Sequence, residues 1–381
     1  MNVRKKGITI GCIALLVVFL MGGSLLEKAY SASEPEMIPG VEMPKFMKIK
    51  GMTSKGSPYE FEAMSYLMNI EKMFPGTKMR QIPGGSKEGT IWTNKGEVDM
   101  SLGSGLSLYA SWYGSKPIGR LVGFTQDMRN ARTISSWGPV TQDCMVVLRD
   151  SDIYSLKDFW NKNVHAGPPG SAYPMFCLPA ALALHGITYE SIKKNGGYVI
   201  FGKETDALEQ LKAGRLHTIW HFAPNPYGPL MEVNMMKGVR LIPYTEEEVA
   251  AMVDPIRGDS VWVGNWIPKN TYEGQTEDVR SVGYRASVIV PADMPDDVVY
   301  NILWAQWCGG RWKNLQEMHP SFKNIDFLKD ATCLAQLPWH PGAVKFWTDW
   351  GRTLPPPEVE TVDPDALYEA KKILEKKEEK K

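Results

Sequence analysis

The sequence is poor in the features that usually announce chemistry. Five cysteines in 381 residues form no Cys-x-x-Cys pair, which removes the common zinc and dithiol frameworks. No serine has glycine both two residues before and two residues after it, so the nucleophile elbow of α/β hydrolases is absent. Histidine is scarce. His217 and His221 have the i, i+4 spacing of a helical zinc pair, but Thr218 stands where the metalloprotease motif needs Glu. Residues 216–222 also read as a strand, where four residues span roughly 13 Å, too far for one ion to bridge. Basic and acidic residues balance at 43 each, and no basic patch seeks nucleic acid. Beyond the N-terminal 33 residues, no stretch is long and apolar enough to cross a bilayer. Neither a metal nor a cofactor nor a nucleic-acid partner is expected.

What is present begins with an export signal. Arg4, Lys5 and Lys6 precede an apolar run over residues 8–21, and small residues around Ala29, Ser31 and Ser33 offer cleavage positions. Residues 1–33 are expected to be removed and the protein delivered to the periplasm. The run is shorter than the roughly 20 residues of a spanning helix. The remainder holds 39 basic and 42 acidic residues, a net of −3, with four cysteines, Cys144, Cys177, Cys308 and Cys333, that allow three pairings. Its length exceeds one ordinary core, so two lobes are expected.

Strand and helix signals alternate along the chain. Strands are expected at residues 45–50, 79–83, 98–102, 143–148, 164–166, 198–201 and 216–222. Helices are expected over 86–95, 104–113, 156–161 and 207–212, with another opening on the apolar stripe Phe61, Met64, Leu67 and Met68. This rhythm argues an α/β fold with mostly parallel sheets, whose ligands bind beyond the carboxyl ends of strands.

Two glycine-rich turns stand at such ends. Residues 167–171, Gly-Pro-Pro-Gly-Ser, precede the apolar stretch 174–185, and residues 51–59, Gly-Met-Thr-Ser-Lys-Gly-Ser-Pro-Tyr, lie between a strand and a helix. Each aims free helix-start N–H groups at an anion, with no cationic side chain required. Ser57-Pro58 stands where a phosphate loop needs Lys and Ser or Thr, so nucleotide binding is not indicated. The candidate ligand-binding residues are Thr53, Ser54, Gly56, Ser57 and Tyr59 from one turn, and Gly170, Ser171, Ala172 and Tyr173 from the other. Gly85, Ser86 and Ser104 join them from the next two strand ends, and His221, Asn225 and Pro226 from the strand end at 222. No catalytic residue is assigned. Trp137 and Trp220 are candidate aromatic walls.

In this order the motifs resemble the TAXI family of extracytoplasmic receptors for tripartite ATP-independent periplasmic (TRAP) transporters. The resemblance is carried by the glycine-rich segment 51–59, Gly84 to Ser86, Gly-Glu-Val-Asp at 96–99, Gly167 to Ser171, Leu211 to Gly214 and Pro338 to Ala343. It implies a periplasmic binding-protein fold of type II, with two α/β lobes closing on a small organic anion such as an amino or oxo acid, and TRAP permease subunits as the membrane partner. The usual Gly-Thr after Gly170-Ser171 is here Ala172-Tyr173.

Lobe one is expected to comprise residues 45–147 and 281–353, lobe two residues 148–280, and residues 354–381 a charged, solvated tail; a monomer is expected. His340-Pro341-Gly342 is expected to shape a turn. Two alternatives remain: a secreted α/β hydrolytic enzyme using Ser171 or His221, and a receptor feeding a membrane sensor.

Overall fold

The computed structural model describes residues 33–52, 58–138, 141–168, 171, 173–253, 262–323 and 325–365. Lobe one is built on β1 (Phe46–Met52), β2 (Lys78–Pro83), β3 (Met100–Ser104) and β4 (Ala131–Trp137). Lobe two is built on β5 (Cys144–Leu148), β6 (Asn163–His165), β7 (Tyr198–Ile200), β8 (Thr218–His221) and β9 (Val239–Ile242). An antiparallel ribbon of β10 (Trp262–Ile267) and β11 (Val279–Tyr284) follows, and β12 (Ala286–Pro291) returns to lobe one.

The two sheets share one plan. Lobe one runs β2-β1-β3-β12-β4 and lobe two β7-β6-β8-β5-β9. In each, the first strand of the lobe lies between the next two and pairs parallel to both, and a strand delivered from the other lobe is inserted antiparallel as the fourth. Those two inserted strands, Cys-Met-Val-Val-Leu and Ala-Ser-Val-Ile-Val-Pro, are almost entirely buried. Helices on both faces of the sheet require such apolar strands. The chain crosses between the sheets after β4 and again before β12. At the crossing Asp143 N–H donates to Val282 O (2.6 Å) and Val282 N–H donates back to Asp143 O (3.1 Å). This is the type II periplasmic binding-protein fold that the motif resemblance implies. The alternation of elements argues the α/β class, but the sheets are mixed and not mostly parallel, because the inserted fourth strand pairs antiparallel on both sides.

Several local expectations differ. Helix α1 (Pro58–Met73) turns inward Tyr59, Glu62, Ala63, Tyr66 and Ile70, whereas Met64 and Met68 are 39 % and 49 % exposed. The expected apolar stripe is therefore not the buried face. Tyr66 Oη and Ser135 Oγ lie 2.9 Å apart, and Asn69 donates to Gln306 Oε1 at 2.9 Å, so a face of hydroxyls and amides packs with its polar atoms satisfied. For the same reason β4 escapes the apolar pattern: Thr133 Oγ1 donates to Leu337 O and Ser136 Oγ to Asp330 O.

Ser171 does not cap an α-helix. Its N–H donates to Pro168 O (3.3 Å), and the chain enters a wide π-turn, Tyr173–Cys177, before the helix Leu178–Ala183. The start of the expected solvated tail is packed against lobe one: Glu358 and Val359 are buried and Tyr109 Oη donates to Val362 O (2.8 Å). His340 does shape the start of the helix Pro341–Asp349, its Nδ1 accepting from Gly342 N–H. Cys144, Cys308 and Cys333 are free thiols, so none of the three possible sets of two disulfides is formed. Among the described residues no helix is long and apolar enough to cross a membrane.

Candidate functional site

The strand ends of lobe one bring two helix starts together. After β2, Gly84-Gly85 turns the chain into α2 (Ser86–Asn94), and β3 runs directly into α3 (Gly105–Trp112). Neither helix has a side chain capping its first turn. The Ser104 N–H donates to Ser86 Oγ at 2.7 Å, which ties the two starts side by side. Free N–H groups and two dipole ends of the same sign then point to one place.

Beneath them lies Lys50 of β1, wholly buried. Its stem passes under Gly89, where an added Cβ would stand 2.5 Å from Lys50 Cδ. The ammonium donates to Leu102 O (2.9 Å) and faces the Tyr59 ring, 5.1 Å from its centroid. Burial pushes the Lys50 pKa down to about 7, opposed by the Glu88 carboxylate, which itself folds against Gly85. Lys87, by contrast, lies over the Phe124 ring.

Tyr59 links this anion-favouring corner to the lobe junction. Its ring packs edge-on to Trp137 (6.2 Å) and against Tyr284 (6.1 Å). Its hydroxyl stands beside those of Ser86 and Tyr284 without a well-formed hydrogen bond to either, and burial pushes its pKa up to about 12. Three further wholly buried side chains surround it with polar atoms that no described residue satisfies: the Glu62 carboxylate, Trp137 Nε1 and the Asp143 carboxylate. Burial drives both carboxyls well above the usual range.

In lobe two the aromatics stack. Tyr173 lies flat on Trp220 (4.2 Å, 3° between planes), Trp220 on Phe222 (4.3 Å), and the Tyr173 and Tyr244 hydroxyls are 2.7 Å apart. Gly167, at φ +102°, presses on Trp220, and an added Cβ would stand 2.0 Å from the indole.

Beyond β8 a buried polar hub holds the Asn225-Pro226 turn, whose peptide bond is cis. Asn225 Nδ2 donates to Gln142 O (3.1 Å) and Ala223 O (3.3 Å), which fixes its Oδ1 as the acceptor for Tyr272 Oη and His221 Nε2. His221 therefore carries a proton on Nε2, while its Nδ1 faces Glu204. Pro226 presents its carbonyl to the ring of His319 in lobe one.

Of the residues singled out from sequence, Tyr59, Gly85, Ser86 and Ser104 come together in lobe one. Tyr173, His221 and Asn225 are drawn into lobe two with their polar atoms engaged by protein partners, and Ser171 stays partly exposed. Thr53, Ser54, Gly56, Ser57, Gly170 and Ala172 lie outside the described residues. Sequence reasoning missed Lys50, Glu62, Asp143 and Glu204. The available signals were a lysine ending a strand before a glycine turn, a glutamate one helical turn after Tyr59, and an aspartate heading the apolar strand 144–148.

The chain matches the NMT1-like family over residues 60–351. It belongs to that family. Among solved structures it is similar to the alkanesulfonate-binding protein SsuA from Xanthomonas axonopodis pv. citri bound to MOPS. That likeness has 14 % identity and a TM-score of 0.44, covering 88 % of this chain and 96 % of the other. It is also similar to PhnD1 from Prochlorococcus marinus in complex with methylphosphonate, at 13 % identity and TM-score 0.40, covering 74 % and 89 %. A third is an ancestral arginine-binding protein bound to arginine, at 15 % identity and TM-score 0.39, covering 73 % and 99 %.

Proposed function

We propose that this NMT1-like family member is a periplasmic solute-binding protein that closes its lobes on a small organic anion and delivers it to a membrane transporter. The observation that carries this reading is the pair of uncapped helix starts joined through Ser86 and Ser104 above the buried Lys50. Backbone N–H groups, two helix dipoles and one ammonium favour an oxyanion whether it is carboxylate, sulfonate or phosphonate. Contacts from both lobes exist only when the cleft is shut, and that differential affinity moves the lobes.

The motif order supports a TRAP permease as the recipient. Catalysis is not part of the reading: both ring nitrogens of His221 are engaged, by Glu204 and Asn225, so no free lone pair serves as a general base. Calorimetric titration of ligand-stripped protein with matched carboxylates, sulfonates and phosphonates, followed by mass spectrometry, tests this. Saturable binding with no new product is expected; turnover, or absence of binding across all three classes, overturns it. Co-purification with the permease subunits of a tripartite system, against those of an ATP-driven one, tests the recipient.

A further inference from the structure

We infer that the ligand also carries a cationic nitrogen, an ammonium or guanidinium, and that Asp143 together with Glu62 seats it at the junction of the lobes. This deepens the solute-binding reading and rests on it. Both side chains are wholly buried; the two Glu62 oxygens have no hydrogen-bond partner among the described residues, and Asp143 has only the Thr141 hydroxyl beside it, without a well-formed bond. Both lie close enough to Tyr59 for their charge to act on its hydroxyl. Groups around Asp143 add no positive charge: Thr141, Tyr59, Cys144, Tyr244 and Tyr284 are neutral, and Glu204 is a further carboxyl.

The nearby cations are committed elsewhere. Lys50 donates to Leu102 O over the Tyr59 ring and answers to Glu88, and Arg285 acts on Asp330 and Cys333. A buried carboxylate without a partner costs several kcal/mol unless it is protonated or meets a cation. No group of three or more His, Cys, Asp or Glu among the described residues could hold a metal ion, so the chemistry favours an organic cation. The site is then dipolar. Lys50 and the helix starts take the oxyanion, the two carboxylates take the nitrogen, and Tyr59 stands beside both.

The test uses probe pairs that differ at one nitrogen: taurine against isethionate, 2-aminoethylphosphonate against 2-hydroxyethylphosphonate, and L-amino acids against their 2-hydroxy counterparts. Each is titrated calorimetrically into ligand-stripped full-length protein. The amino member of at least one pair is expected to bind at least tenfold more tightly. Asp143→Asn should erase that preference while leaving the hydroxy member within about threefold; Glu62→Gln should reduce it less. Unfolding of both variants without ligand serves as the control, and both are expected to fold, since each replaces a carboxylate by an amide of the same shape. Should an amide variant fail to fold, the wild-type preference decides alone. Equal or tighter binding of the hydroxy members, or a preference untouched in a folded Asp143→Asn variant, overturns the inference while leaving the solute-binding reading intact. Binding of no member of any pair overturns both.

Discussion

Lys50 Nζ stands 5.1 Å from the centroid of the Tyr59 ring while it donates to the Leu102 carbonyl at 2.9 Å. A carbonyl and an aromatic face solvate an ammonium less well than water, which is why burial holds this group near pH 7. An anion bound at the adjoining helix starts would restore the missing countercharge. Charge on a strand lysine thus becomes part of recognition.

The first prediction follows by linkage. In the folded protein Lys50 loses its proton at about pH 7, in the unfolded chain near 10.5. Between these values the unfolded state binds more protons, so this residue makes stability rise with pH, by at most about 1.4 kcal/mol per unit. The denaturation midpoint of the ligand-free protein, less that of Lys50→Met, should therefore climb from pH 7 to pH 10. A flat difference would sink the assignment. Anion affinity of the wild type should fall over the same window, and that of Lys50→Met should be weak throughout.

Ser86→Ala removes the acceptor of the Ser104 N–H. The expected cost to folding is about 1 kcal/mol, the net worth of one hydrogen bond. Anion affinity should fall by more, because the bond is also what aligns α2 with α3. Titration and chemical denaturation on the same variant separate the two effects; equal losses would argue that Ser86 is only structural.

The order of elements was legible because the core strands are short apolar runs and the glycine turns sit between them. The side chains at the heart of the site were not. Tyr59 was visible as the residue following a glycine turn, but Glu62 lies on a helix face whose Ser65 and Asn69 are buried against Gln306, a partner distant in sequence. Asp143 looks like an ordinary strand start until Val282 arrives beside it. Asn225 offered a donor and an acceptor in sequence, yet Gln142, from the other side of the crossing, takes up its donors. Tertiary pairing across many residues decides which polar groups are satisfied, and local pattern carries no record of it.

Asn225→Ala should test that hub. It strips acceptors from Tyr272 Oη and His221 Nε2 and a donor from Gln142 O, all buried. Each unsatisfied group costs about 1–3 kcal/mol, so a loss of at least ~2 kcal/mol in unfolding free energy is expected. A variant as stable as wild type by denaturant titration would show that these bonds are not formed in solution.

Phe176 offers a handle on lobe closure. It belongs to the turn that follows β6 of lobe two, yet it is 5 % exposed because it packs into a cluster with Leu106, Ile118 and Phe124 of lobe one. Burying such a ring contributes about 1.5–3 kcal/mol, and it contributes only while the lobes touch. Phe176→Ser should then shift the balance toward the open form by roughly ten- to a hundredfold, since each 1.4 kcal/mol is a factor of ten. The cores of the two lobes do not depend on this contact, so the chain should still fold. Small-angle scattering of the ligand-free variant should give a larger radius of gyration than wild type, and ligand affinity should drop by a comparable factor, because ligand must now supply the closing energy itself. An unchanged scattering profile with unchanged affinity would mean that Phe176 does not govern the opening.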